Sequence, residues 1–372
     1  NNGNTKNYQM VISMRKLWLI IVVTLLILLI FFISGDSNPS HLKPLSYCPP
    51  DAPEMIDALA PNSILSNATR LLDGKVNGPE EVICDETGRL YIANIDGRIL
   101  TYRPGGEEST FFESAGRPLG MRFDSKGNLI SCNTELGLLS IDPAGKSTVL
   151  VAKSENFSLI DDLTISSDDI VYFTNATSFD GLESFYYDIL LHHPLGSVWS
   201  YDLKTDELSN VLDELYFANG VQLSNDENSL LVNETAAYQI RKVWVKGPNK
   251  GKHEVFIDNL PGFPDGLDSS EDGNYWISIV SPRKSSVDHI YHPRPWLKKI
   301  LLYLPKWLRP KPTRIGMILK ISPNGEILNS IHDINGEAMY SVTNVFEHEN
   351  TLYIGSLFND AVGLLSLPVD GR

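Results

Sequence analysis

The sequence predicts an all-β fold, a six-bladed β-propeller, preceded by one N-terminal transmembrane helix. Two patterns predict it: a hairpin formula that recurs six times, and seventeen consecutive residues near the N-terminus without a charge, a Gly or a Pro. Composition agrees, because 42% of the 372 residues are apolar, enough for a large core and too many for wholesale disorder. The charge balance narrows the function. With 46 acids against 31 bases the formal net charge is −15, and phosphate contact needs a basic surface, so a nucleic-acid partner is excluded. Three cysteines, Cys48, Cys84 and Cys132, cannot form a disulfide framework, and no CxxC spacing offers a zinc site.

The apolar run, LWLIIVVTLLILLIFFI, covers residues 17–33 and reaches the lower end of the length that crosses a bilayer as a helix. Arg15 and Lys16 precede it and no Lys or Arg follows before Lys43. The positive-inside rule therefore puts residues 1–16 in the cytosol and the rest on the lumenal, extracellular or periplasmic side. A cleaved signal peptide is the rival reading, but its apolar region is about 7–15 residues and ends at a small-residue site. The longer run followed by SGDSNPS favours an uncleaved signal anchor. Residues 34–61 are rich in Pro and read as a stalk leading away from the membrane. On the far side of a membrane, Asn67, Asn156, Asn175 and Asn233 stand in N-x-S/T acceptor triplets and are glycosylation candidates, each weak alone.

Residues 62–372 carry the repeat: an apolar strand, an acidic or serine turn with Gly or Asn, then a second strand ending in a small residue. It reads VICDETGRLYIAN from Val82, MRFDSKGNLISCN from Met121 and LTISSDDIVYFTN from Leu163. It returns as VQLSNDENSLLVN from Val221, LDSSEDGNYWISI from Leu267 and VFEHENTLYIGSL from Val345. Alternation and turn chemistry make each a β-hairpin. The starts lie 39, 42, 58, 46 and 78 residues apart, near blade length in three intervals and with insertions in two. A β-sandwich also has regular hairpins, yet it does not need one turn formula six times.

Propellers bind ligands where their innermost strands converge, so the residues just before each repeat carry the site. They read GPEEV, RPLGM, LIDDL, FANGV and FPDGL, which puts Glu80, Asp161, Asn219 and Asp265 in nearly equivalent places of four blades. Three carboxylates and one amide oxygen, with no His or Cys, make a hard all-oxygen set that suits Ca²⁺. Single acids at strand starts are commonly turn formers; four oxygen donors in register point to a common axis.

The stretches DDLTISSDDIVYFTNATSF, FANGVQLSNDENSLLVNET, IRKVWVKGPNKG and PGFPDGLDSSEDGNYWISIVSPR, with RPWLKK at Arg294 and EHENTLYIGSL at Glu347, resemble the strictosidine synthase-like family. The resemblance runs from about Pro44 to the end. It implies the six-bladed propeller of a superfamily that also holds paraoxonases and gluconolactonases. By motif it implies a calcium held by Glu80, Asp161, Asn219 and Asp265, with Asp161 replacing the usual Asn. Two departures bear on chemistry: Leu119 stands where paraoxonases carry a histidine, and Thr343 where strictosidine synthases carry a catalytic glutamate. A threonine hydroxyl moves protons poorly, so true strictosidine synthesis is not expected. The sequence has no GxSxG, HExxH or GxGxxG motif, leaving serine-hydrolase, zincin and dinucleotide chemistry without support.

Two function classes follow. One is a membrane-anchored, calcium-dependent hydrolase of arylesterase or lactonase type, taking a small apolar ester or lactone, with Asp161 or Asp162 orienting the attacking water. The other is a binding or scaffolding propeller with structural calcium and an idle channel. His192 and His193 fall in an insertion after the third repeat that reads as a flap, where a surface pair is expected; Cys84 and Cys132 read as small core residues. The insertion at 281–314 holds nine bases and one acid between Arg283 and Arg314, a net charge of +8 that leaves −23 for the rest. Its bases alternate with Trp296, Leu297, Ile300, Leu301, Leu304 and Trp307. Residues 290–309 therefore read as a basic amphipathic helix resting on lipid, its lysines off the apolar face, or as a helix packed across the channel mouth.

Overall fold

The computed structural model describes residues 14–26, 42–179, 184–302, 304 and 306–368. Residues 14–26 form helix α1. Among the described residues no helix is long and apolar enough to cross a membrane, and residues 27–33 of the apolar run lie outside them. After a short strand β1 (Thr69–Leu71) the chain lays down six antiparallel sheets. The first holds β2 (Val82–Cys84), β3 (Leu90–Ala93), β4 (Arg98–Tyr102) and β5 (Ser109–Glu113); the second β6 (Pro118–Phe123), β7 (Leu129–Asn133), β8 (Gly137–Ile141) and β9 (Ser147–Ala152). The third holds β10 (Ile160–Ile165), β11 (Ile170–Asn175), β12 (Gly196–Asp202) and β13 (Leu208–Leu215). The fourth holds β14 (Ala218–Leu223), β15 (Ser229–Glu234), β16 (Gln239–Trp244) and β17 (His253–Ile257). The fifth holds β18 (Gly262–Ser269), β19 (Tyr275–Pro282), β20 (Gly316–Ile321) and β21 (Ile327–Asp333). In the sixth, β22 (Val342–His348), β23 (Thr351–Ser356) and β24 (Val362–Ser366) are completed by β1.

Each hairpin formula is the first two strands of a blade. The turn is built by its acid: Asp85 Oδ1 accepts the amides of Thr87 at 2.9 Å and Arg89 at 3.1 Å. Asp124 Oδ1 accepts those of Lys126 at 2.9 Å and Asn128 at 2.8 Å. Gly88 and Gly127 sit at φ +72° and +79°, a region Gly enters without a Cβ clash. Apolar faces of neighbouring blades then pack on each other: Ile83, Tyr91 and Ile99 of the first meet Met121, Leu129 and Leu139 of the second. The six innermost strands touch in sequence, and β22 returns to β2. Close approach at the axis depends on glycine. A Cβ on Gly220 would stand 2.4 Å from Asp265 O, and one on Gly266 2.3 Å from Thr343 O.

The ring is closed by a strand with no repeat of its own. β1 pairs antiparallel with β24 through Thr69↔Leu364, Arg70↔Gly363 and Leu71↔Val362, so residues from before the first blade supply the outer strand of the last one and leave it with a short three-residue edge.

Both insertions cover the channel mouth, the first as a flap and the second as one of the two readings of 281–314, while the stalk and Lys298 differ from expectation. Both insertions lie inside a blade, between its second and third strands: helix α2 (Ser184–Leu191) between β11 and β12, helix α3 (Pro295–Leu302) between β19 and β20. They pack on each other as a lid through Leu190, Leu191, Leu301 and Leu302. The expected stalk does not lead away from residue 42 onward. Leu45 N donates to Leu191 O at 2.9 Å and Tyr47 N to His292 O at 3.0 Å, while Leu59 is buried against the fifth blade. Residues 42–59 are a strap over lid and propeller, because Tyr47, Met55 and Leu59 have apolar surface to cover. Finally, Lys298 is buried and its Nζ donates to Leu45 O at 2.8 Å, so this lysine is a tie between lid and strap and not a solvated charge. Burial lowers its pKa to about 8.

Candidate functional site

At one mouth of the channel lies a cavity of about 200 Å³. Glu80, Arg117, Asp161, Asn219 and Asp265 line it as charged and amide groups, with Leu119, Leu159, Phe217 and Phe263 as apolar walls. Lid residues Phe185, Ile189, Tyr291, His292 and Leu301 line it as well. All four sequence-predicted oxygen donors therefore face one space, Glu80 from just before β2 and Asp161, Asn219 and Asp265 from the first halves of β10, β14 and β18. Arg117 was not foreseen there. Its Nη2 stands 2.5 Å from Glu80 Oε2.

The acids are expensive where they are. Burial pushes Glu80 above its ordinary range, with Arg117 opposing. Asp161 is pushed well up by burial, then by Glu80 and Asp162. Asp265 is pushed well up by burial, Glu80 and Asp161, with the Asn219 amide opposing. Desolvation and mutual repulsion are what a divalent cation relieves, so this all-oxygen set fits Ca²⁺. As the side chains stand, no three His, Cys, Asp or Glu among the described residues are close enough to hold a metal; Glu80 is engaged by Arg117.

Asp162, expected as a second water-orienting candidate, does not line the cavity. The β10 ladder bulges between Ile160 and Leu163, which re-aims side chains there, and Asp162 Oδ2 accepts Val221 N at 2.9 Å. It belongs to a second ionic layer around Arg122. Arg122 Nη1 reaches Glu81 at 2.5 Å and Nη2 reaches Asp268 at 3.1 Å, and Asn344 Nδ2 donates to Glu81 Oε1 at 3.0 Å. Side chains of blades one, two, three, five and six meet only at the axis, so this layer plugs the channel. Burial works against the Arg122 charge, but Asp268, Glu81 and Asp162 outweigh it and raise its pKa. Burial raises Asp162 to about 6, with Arg122 opposing. The doubled acids in GPEEV and LIDDL were the signal for two layers.

Other residues are placed differently from expectation. His192 is buried, stacked between Tyr47 at 3.9 Å and Tyr216 at 4.6 Å, so it is no surface residue. Burial lowers it to about 3 and His292 to about 2, and both stay neutral. Asn175 and Asn233 are core residues. Asn175 Oδ1 accepts Leu159 N at 3.1 Å, and Asn233 Nδ2 donates to Asp265 O at 2.6 Å. Neither is an accessible glycan acceptor in the folded chain; Asn67 and Asn156 are exposed.

A family profile for strictosidine synthase matches residues 161–248, and one for the N-terminal part of strictosidine synthase-like proteins matches 57–102. The adipocyte plasma membrane-associated protein of Rattus norvegicus is 32% identical over 352 residues, covering 88% of this chain and 93% of that protein. The chain belongs to the strictosidine synthase-like family. Among solved structures it resembles a gluconolactonase from Xanthomonas campestris, with a TM-score of 0.59 and 18% identity over 88% of this chain and 99% of that one. It also resembles a regucalcin, a calcium-binding protein from Agrobacterium tumefaciens, with a TM-score of 0.58 and 14% identity over 82% of this chain and 95% of that one. These two likenesses are of fold alone. In this strictosidine synthase-like chain Leu119 is a cavity wall, and Thr343 is buried, its Oγ1 donating to Glu80 O at 2.7 Å. Thr343 thus steadies the backbone under the site and presents nothing to a substrate.

Proposed function

We propose that the protein is a membrane-anchored, calcium-dependent hydrolase of apolar esters or lactones. The observation that carries the reading is the floor of Glu80, Asp161, Asn219 and Asp265 beneath an apolar, lidded cavity. A gluconolactonase and a calcium-binding regucalcin share the fold, which supports the chemistry by analogy only. A calcium bound there would supply polarisation of a carbonyl and stabilisation of an oxyanion. Glu80, Asp161, Asn219 and Asp265 would hold the cation. Asp161, on the same floor, would also orient the attacking water, take up its proton through its second carboxylate oxygen and pass it to the leaving alkoxide. Leu119, Phe217 and Phe263 bind the alkyl or aryl part, and the lid excludes bulk water.

Phenyl acetate or a simple lactone should be hydrolysed by the purified protein, and either a chelator or Asp265→Ala should abolish turnover. Hydrolysis that survives complete calcium removal overturns the reading. A second reading, a binding or scaffolding propeller with structural calcium, is favoured by Leu119 and Thr343, which provide no proton-moving group. It predicts calcium binding with no turnover of any ester or lactone.

The membrane part rests on the apolar run at 17–33, on a relative whose name is membrane-associated, and on the outer surface of the lid. There Trp296 and Trp307 are 63% and 75% exposed, and Arg294, Lys299 and Lys311 are exposed too. The inner face of α3 is spent on the lid, so contact with lipid falls to these outer residues, a pattern suited to an anionic headgroup layer. Full-length protein in nanodiscs with brominated lipid tests this. Tryptophan quenching should be stronger with phosphatidylserine than without, and the difference should vanish in Trp296→Phe/Trp307→Phe. Equal quenching in both lipids makes the surface merely solvated.

A further inference from the structure

We infer that Arg117 is an internal counter-cation that occupies Glu80 and competes with a divalent metal for the carboxylate floor. The inference rests on the cation reading above and goes beyond it, because it assigns the control of metal affinity to a residue outside the oxygen set.

Arg117 is 3% exposed and lines the cavity. Its backbone is pinned on both sides by Thr134, whose Oγ1 accepts Arg117 N at 2.8 Å and whose N donates to Arg117 O at 3.1 Å. The guanidinium is therefore aimed, and Nη2 donates to Gly78 O at 2.8 Å. The same Nη2 touches Glu80 Oε2 at 2.5 Å. Even so, among the described residues Glu80 Oε2 has no aligned hydrogen-bond donor, and buried Arg117 Nε has no partner. A pair selected for rigidity would be bidentate, with both nitrogens satisfied. Here the contact is charge against charge with donors left over, which is costly for two recessed groups. That is the pattern of a placeholder.

The charge count gives the direction. Glu80, Asp161 and Asp265 ionised carry three negative charges, and Arg117 brings the floor to −2. Glu80 must leave Arg117 to become a ligand, and the guanidinium must then tolerate a metal as its neighbour. Both effects oppose loading. Arg117 thereby keeps the metal-free floor foldable and holds affinity down, toward the weak end of the calcium range at about 10⁻⁴–10⁻³ M, where sites outside the cytosol lie.

The test is isothermal titration of calcium into the full-length protein in detergent, for the native chain and for Arg117→Met, Arg117→Gln and Arg117→Lys. Circular dichroism accompanies each variant. The expected result is binding at least about tenfold tighter in Arg117→Met and Arg117→Gln, with Arg117→Lys near the native value. The calcium-induced rise in Tm should also grow in the first two, because they start from a less stable metal-free state. A variant that is merely damaged would bind more weakly, so a gain in affinity cannot come from misfolding. Native-like binding in a folded Arg117→Met or Arg117→Gln overturns the inference and leaves the cation reading intact. Binding in neither the native chain nor any variant overturns both. Binding in Arg117→Met alone supports the competition and moves the native affinity below the range of use.

Discussion

Arg122→Met should lower the unfolding free energy by about 3–5 kcal/mol, the range found when one partner of a buried ion network is removed and its counter-charges stay behind. Glu81, Asp162 and Asp268 would then face one another at the axis without the guanidinium that opposes their burial and mutual repulsion. The effect is read from the urea midpoint at constant slope. Adding Glu81→Gln and Asp268→Asn to the same chain should recover a good part of the loss, because neutral side chains of equal shape no longer need the cation. A change below about 1 kcal/mol in the single variant would mean that the channel plug is solvated and structurally idle. The distinction matters for function, since Glu81 and Asp162 of this layer adjoin Glu80 and Asp161 of the cavity floor in the chain.

Asp188→Asn should do the opposite and stabilise the protein, by an amount that depends on pH. Asp188 is buried in α2, near Thr177, and among the described residues neither carboxyl oxygen has a partner in full hydrogen-bond geometry. Burial raises it to about 7, with Thr177 opposing. The folded value is above the unfolded one of about 3.9, so its contribution to stability is fully present below about 4 and is lost as pH rises toward 7. Folding at neutral pH must either protonate this group or bury its charge. The variant removes that cost, and its gain in Tm should be near zero at pH 4, grow to pH 7 and stay level above. The upper bound is ~4 kcal/mol, at about 1.4 kcal/mol for each pH unit that separates the unfolded value from the folded one. His192 and His292, lowered to about 3 and about 2, act in the other sense: their contribution is lost as pH falls below about 6.5. Native chain and variant share them, so the difference between the two isolates Asp188. A gain that is the same at pH 4 and pH 8 would show that packing, not charge, is responsible.

Much of the architecture is carried by chemistry that acts within a dozen residues. Asp85 and Asp124 bond amides two and four positions on, and a turn of that kind needs no help from the rest of the fold. The hairpins were therefore legible one by one, and their number gave the ring. The four oxygen donors were legible for a related reason. They share an offset from the hairpin start, and a propeller maps equal offsets onto one circle around its axis. Arg117 and Arg122 escaped because their meaning depends on which acids stand opposite in other blades.

The sequence by itself determined the blade count, the hairpin turns, the family and the residues that meet at the cavity floor, because periodicity and turn chemistry are local and a repeat converts them into geometry. Tertiary structure alone decided what long-range contact decides. The three residues of β1 pair with β24 nearly three hundred positions away, and nothing in Thr69–Leu71 announces it. Residues 42–59 read as a Pro-rich linker until Tyr47 finds His192. Lys298 reads as a solvated face of α3 until the strap offers Leu45 O. Asn175 and Asn233 satisfy a three-residue acceptor pattern that is blind to burial. Asp161 and Asp162, adjacent and alike, fall into different ionic layers at a bulge in β10 between Ile160 and Leu163, which re-aims the side chains there. In each case the deciding partner lies far along the chain, and burial and pairing are properties of what packs against a residue, not of its neighbours in sequence.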